Sequence, residues 1–153
     1  YVPQQKVIDP LFPVSARQIV EMGLFPRRRP WTRPTRVQRN AVEEALAQLG
    51  MEEHAAKTFR ELSGGMKQKV LIARALVGEP DVIVMDEPTS ELDERSEQDV
   101  LTHLSGLNRN HGKTVLMAHH DRGRVARFSD SICRVWRGNA QIVAHGDGED
   151  DHA

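Results

Sequence analysis

The 153-residue chain is 39% hydrophobic, enough for one modest core, and its formal charge of −1, from 21 basic and 22 acidic side chains, exerts no global pull on nucleic acid or acidic lipid. A single cysteine, Cys133, excludes an internal disulfide and leaves no Cys cluster to suggest zinc; its apolar, strand-like surroundings predict a buried structural thiol. No stretch has the length of a transmembrane helix or the pattern of a signal peptide, so a cytosolic chain is expected.

Tyr1-Val2 reads as the stub of a strand, and the sequence is expected to lack its own beginning. Gln4 and Gln5 follow in a polar loop, and the prolines at 10 and 13 predict extended backbone. Ser15-Ala16-Arg17-Gln18 has the pattern of a capping box and opens a short helix that Gly23 closes. Residues 26–36, PRRRPWTRPTR, hold five arginines, Trp31 and three prolines. Arginines beside an aromatic suit phosphates and stacked bases, whereas the proline spacing favours a solvated connector between two helices. A second capping box, Thr35-Arg36-Val37-Gln38, opens a helix in which Val37, Ala41, Ala45 and Leu49 recur every four residues until Gly50. A short helical stretch over 52–57 leads toward Leu62.

Ser63 is a natural N-cap for a helix reaching about Val77, and Gly64 and Gly65 let the backbone approach a ligand closely. The positive end of that helix suits an anion. Residues 82–85, Val-Ile-Val-Met, form a continuous apolar run that predicts a central parallel strand buried on both faces. It runs straight into Asp86-Glu87. In open α/β sheets ligands sit at the carboxyl ends of the strands, and two adjacent carboxylates there call for a cation. Alternation should point the two apart, so that one holds hydrated Mg²⁺ while the other addresses a water.

Asp93 caps a helix over 94–108 with Val100, Leu101, Leu104 and Leu107 as its core stripe. The string from Gly106 to Thr114 imitates a phosphate-binding loop, but it has one residue too many between its glycines and follows a helix; it reads as an αβ connection. A buried strand over 115–118 ends in His119-His120-Asp121, and Asp121 caps a helix to about Phe128. Strands over 131–137 and 140–145 flank a Gly138-Asn139 turn. The acidic tail, 146–153, is expected to be disordered and solvated, with His145 and His152 binding no more than a weak metal.

Leu62-Ser63-Gly64-Gly65, with the acidic strand beginning twenty residues on, resembles the signature and Walker B motifs of ATP-binding cassette (ABC) ATPases. Met66 departs from the usual LSGGQ, with Gln68 two places on. YVPQQ resembles the family's Q-loop, SELD its D-loop with Glu91 in place of a small residue, and AHHD its H-loop. The resemblance implies an α/β fold of the P-loop NTPase type, with a mostly parallel sheet core, a helical subdomain and a C-terminal β-hairpin. Its expected divisions are a Q-loop connection at 1–14, the helical subdomain at 15–62, the catalytic core at 63–145 and the tail at 146–153. The phosphate-cradling G-x-x-x-x-G-K-[ST] loop is not found in the 153 residues, so the chain alone is expected to be inactive.

The same resemblance implies ATP and Mg²⁺ as cofactors. Asp86 would hold Mg²⁺ through its hydration shell, Glu87 would orient or deprotonate the attacking water, and His120 and Gln4 would contact the transferring phosphoryl group and its metal. Aligned on Asp121, His120 is the H-loop histidine and His119 its exposed or stacked neighbour. Ser63, Gly64 and Gly65 would serve the ATP of a partner domain, and Asp93 would lie at the nucleotide interface. The implied partners are a second nucleotide-binding domain, as a homodimer, and transmembrane permease subunits at the cytoplasmic face of the membrane; no nucleic acid is expected. FPVSARQIVEMG resembles the segment after the Q-loop in ATPases of metal-cation uptake, which implies a zinc or manganese transporter. Two alternatives stay open: a soluble ABC ATPase acting on nucleic acid or ribosomes, supported by the arginine-rich segment, and a non-catalytic binding module.

Overall fold

The computed structural model describes residues 13–25, 33–121, 123 and 126–144. It divides into two compact units, one ending at His119 and the other beginning at His120. In the first unit the order is α1 (Ala16–Met22), α2 (Arg36–Ala47), two 3₁₀ turns (Glu52–His54 and Phe59–Glu61), α3 (Gly64–Leu76), β1 (Val82–Asp86), α4 (Glu94–His111) and β2 (Thr114–Ala118). The second holds β3 (Ser131–Trp136) and β4 (Asn139–Ala144).

Both predicted capping boxes form. Ser15 N–H donates to Gln18 Oε1 at 2.8 Å while Ser15 Oγ accepts from Gln18 N–H at 3.3 Å. Thr35 and Gln38 repeat the exchange at 2.9 and 3.2 Å, so each helix start has its orphan donors satisfied locally. The two ends of the segment 15–62 meet: Phe59 N–H donates to Val14 C=O and Ala16 N–H to Lys57 C=O, both at 2.9 Å, and Ser15 bridges Thr58.

The core lies where α1, α2 and α4 pack against α3. Ile19, Leu46, Leu49, Leu71, Ile72, Leu101 and Leu107 are almost wholly buried, each contributing about 1.5–3 kcal/mol by leaving water. On α2 the buried stripe is Val42, Ala45 and Leu46, continued by Leu49, and not the four-residue series predicted: Val37 is exposed. A strict spacing of four drifts round a 3.6-residue helix, and the mixed three-and-four spacing tracks the core. The stretch predicted as helical over 52–57 is a single 3₁₀ turn, Glu52–His54. Helix α4 runs on to His111, three residues beyond its expected end, and stops where Gly112 adopts φ 61.

Strands β1 and β2 pair in parallel, in register from Val82 opposite Thr114 to Asp86 opposite Ala118. The expectation that β1 is buried on both faces is corrected. Ile83 and Met85 are buried, but Val82 is 52% and Val84 40% exposed, and Leu116 on the neighbouring strand is exposed with them. Among the described residues, no element packs over that face. The antiparallel β3–β4 pair turns at Arg137-Gly138, not at Gly138-Asn139, because Trp136 pairs with Asn139. Arg137 and Gly138 have φ of 44° and 83°, the positive pair that a two-residue hairpin with right-handed twist demands. Cys133, expected to be buried, is exposed. The prediction of a helix after Asp121 falls partly outside the described residues, and the arginine-rich 26–32, the tail and most of 1–14 fall outside them.

Helix α1 closes on α3 through Gly23. A Cβ at that position would lie 2.0 Å from Arg74 O and 2.5 Å from Val77 Cγ1. Since φ is −64°, the requirement is steric and not conformational. Gly23→Ala is therefore expected to destabilise the chain by about 3 kcal/mol, at the upper end of ordinary overpacking, read from the urea midpoint at unchanged slope. A loss below about 0.5 kcal/mol would show that the helices separate freely.

Candidate functional site

The acidic pair stands where the sequence places it, at the carboxyl end of β1. Asp86 is the last strand residue and is exposed, on the face shared with Val82 and Val84. Glu87 is half-buried and leaves the strand with φ 42°, a left-handed conformation that is uncommon for a non-glycine residue. Three bonds hold it there: Glu87 N–H donates to Ala118 C=O at 3.0 Å, and Ser90 N–H and Oγ–H both reach Glu87 C=O, at 3.3 and 3.2 Å. The parallel ladder thus carries one residue past the strand.

Ser63 caps α3, its Oγ accepting from Met66 N–H at 3.3 Å. Gly65 is buried, and a Cβ there would come within 2.9 Å of Ser96 Cβ, so the start of α3 lies directly against the first turn of α4. That turn is capped by Asp93, whose carboxylate accepts from Ser96 N–H at 3.0 Å and Ser96 Oγ–H at 2.7 Å. These bonds, the backbone one first, hold the Asp93 carboxyl below the usual aspartate range. Farther along, Lys69 Nζ on α3 meets Asp99 Oδ2 on α4 at 2.6 Å.

One part of the site was not anticipated from sequence. His119, expected to be exposed or stacked beside His120, has a side chain only 4% exposed. Its Nε2 lies 3.1 Å from Thr89 Oγ1 and 3.3 Å from Glu97 Oε1, and Thr89 Oγ1–H donates to Glu97 Oε1 at 3.1 Å. A signal was available: Glu97 precedes Val100, Leu101 and Leu104 by three, four and seven positions, so a carboxylate sits on the apolar stripe of α4.

The family model for the ABC transporter matches residues 1–90, more than half of the chain. The chain belongs to this family. It is 40% identical over 147 residues to the manganese transport system ATP-binding protein MntB of Halalkalibacterium halodurans, covering 95% of this chain and 57% of that protein. It is 37% identical over 146 residues to the zinc transport system ATP-binding protein TroB of Treponema pallidum, covering 95% of this chain and 53% of the relative. The chain therefore spans a little over half the length of these relatives. Among solved structures, a metal-chelate type ABC transporter in an inward-facing conformation superposes with a TM-score of 0.86 at 30% identity, over 95% of this chain and 58% of that one. The ATP-binding cassette MJ0796, dimeric and bound to ADP and Pi, superposes with a TM-score of 0.73 at 31% identity, over 94% of this chain and 61% of that one.

Of the residues singled out in the sequence, the described first unit contains Ser63, Gly64, Gly65, Asp86, Glu87 and Asp93. His120, exposed, opens the second unit, and Gln4 lies outside the described residues. Among the described residues no helix is long and apolar enough to cross a membrane, and no group of three or more His, Cys, Asp or Glu could hold a metal by itself. The exposed oxygens of Asp86, at a strand end beside a second carboxylate, suit a hydrated Mg²⁺ that takes only one or two protein ligands.

The lowered Asp93 value fixes the sign of a pH effect. Its contribution to stability is fully present above the unfolded aspartate value of about 3.9 and is lost as the pH falls through the lower folded value. The gap in urea midpoint between wild type and Asp93→Asn is expected to be widest near neutrality and to close at acidic pH, below about 4. A gap independent of pH would assign the effect of the substitution to something other than the carboxylate charge.

Proposed function

We infer that this chain is part of an ATP-hydrolysing subunit that drives transport of a divalent metal cation of the manganese or zinc kind, working as one of two nucleotide-binding domains beneath a membrane permease. The observation that carries the reading is Glu87, held at φ 42° beyond a parallel strand whose last residue is a second carboxylate. The manganese and zinc transport names of the relatives support the cargo. The arginine-rich segment, most of it outside the described residues, supports no second reading.

In this reading Glu87 accepts a hydrogen bond from a water and takes its proton as the water oxygen bonds to the γ-phosphorus. The bond from that phosphorus to the bridging oxygen breaks in the same displacement, releasing ADP. Asp86 would hold Mg²⁺ through water, and the ion would supply neutralisation of the phosphate oxygens. His120 and Gln4 donate to or orient the transferring phosphoryl group. Ser63, Gly64 and Gly65 present the positive end of α3 to the ATP of the partner domain, where a helix of 13 residues stabilises an anion. With no phosphate-cradling glycine loop in the 153 residues, the isolated chain lacks the strongest phosphate contacts and is expected to show no turnover above background.

In the product of the complete open reading frame, Glu87→Gln is expected to retain ATP binding while turnover falls by about two to four powers of ten, leaving an ATP-bound dimer on size-exclusion chromatography. Undiminished turnover would sink the assignment of Glu87. Co-expression with the neighbouring membrane subunit is expected to give a co-purifying complex whose ATPase responds to manganese or zinc. A complex stimulated by another class of solute would overturn the cargo and leave the ATPase reading intact.

A further inference from the structure

Three side chains from three different elements meet where β1 and β2 end. Thr89 belongs to the turn after β1, Glu97 to the first turn of α4, and His119 follows β2. They are within 3.1 to 3.3 Å of one another, and each is at least 95% buried at the side chain or residue level. With its proton on Nε2, His119 donates toward Thr89 Oγ1 and Glu97 Oε1, and the Thr89 hydroxyl donates to Glu97. One carboxylate oxygen therefore accepts from two separate segments.

Stability alone is a poor reason for such a triple. Apolar side chains of similar shape often replace a buried charged or polar cluster at little cost, or with a gain. Hydrogen bonds, unlike apolar contacts, fix orientation, and what they orient here includes the turn that follows Glu87 and the start of α4. Thr89 stands two residues after Glu87, whose carbonyl is already tied to Ser90. Glu97 lies one helical turn after Asp93, the cap of α4. His119 is joined by its own peptide bond to His120.

We propose that Glu97 is a positioning residue for ATP hydrolysis, its buried carboxylate tying the post-β1 turn, the start of α4 and the end of β2 together through Thr89 and His119. The inference rests on the reading of Glu87 as the water-polarising carboxylate. Glu97 does not touch nucleotide; it holds the backbones from which Glu87 and Asp93 act. Misplacing a catalytic group by about 1 Å costs on the order of a hundredfold in rate, which sets the scale of the expected effect.

The test uses the product of the complete open reading frame, with steady-state ATPase and thermal melting measured on each variant. Glu97→Ala is expected to lower kcat by about 10- to 100-fold with the KM for ATP within about threefold of wild type. Glu97→Gln keeps an oxygen able to accept from Thr89 and His119, and should recover kcat to within about fivefold. Thr89→Val, close in shape but without a hydroxyl, should lower kcat, and Thr89→Ser should restore it. If Glu97→Ala fails to fold, the Thr89 pair decides. Folded variants that melt earlier at wild-type kcat, or that raise only KM, would overturn the proposal. Glu87→Gln at undiminished turnover would instead overturn the underlying reading, whatever the Glu97 and Thr89 variants do.

Discussion

Burying the Glu97 carboxylate obliges the chain to bring donors to it, and two of them, Thr89 and His119, come from other segments. An ionisable side chain taken almost wholly out of water is tolerated only when its oxygens find partners. Satisfying Glu97 with Thr89 and His119 therefore constrains where the turn after β1, the start of α4 and the end of β2 stand. The parallel pairing of β1 with β2 makes this possible by ending both strands at one level, Asp86 opposite Ala118, and the ladder bond from Glu87 N–H to Ala118 C=O extends that level by one residue. The φ of Glu87 follows from these fixed points, since the backbone turns out of the strand directly after a bond that holds its amide in place.

Helix α3 carries the rest of the first unit. It receives α1 at Gly23, where only a hydrogen fits against Arg74 O, and α4 at Gly65, which lies against Ser96. Between those close approaches the Lys69–Asp99 pair spans α3 and α4, its lysine largely buried. Arg17 on α1 pairs with Glu43 on α2 at an exposed position where such a contact adds little stability. The packing is thus set by glycines where backbones nearly touch and by apolar stripes elsewhere. It also sets the N-terminus of α3, capped by Ser63, against the first turn of α4, capped by Asp93.

Membership of the ABC transporter family gives these constraints a purpose. The residues that the family's chemistry would draw on are held by short-range devices: a capped helix start at Ser63, a second at Asp93, and a turn bonded to its own carbonyl at Glu87. All three are compatible with an element that must present groups to a nucleotide without rearranging each time.

Much of this was legible in the sequence because it depends on local chemistry. Capping boxes at Ser15 and Thr35, the N-caps Ser63 and Asp93, and the acid pair after an apolar run are read from residues within a few positions of one another, where backbone geometry alone determines the outcome. The order of motifs likewise pointed to the family before any fold was considered. Only tertiary structure decided which faces are covered. Val84 is as apolar as Ile83, yet Val84 is 40% exposed where Ile83 is buried, because burial depends on what lies opposite and a strand's own residues do not encode it. Cys133 on the outside and Val42 in place of Val37 on the inside have that same origin. The Thr89–Glu97–His119 triangle shows the limit most directly: its members are 8, 22 and 30 residues apart, and although the position of Glu97 on the apolar stripe of α4 marks it as inward-facing, nothing local says which segments will be brought against it.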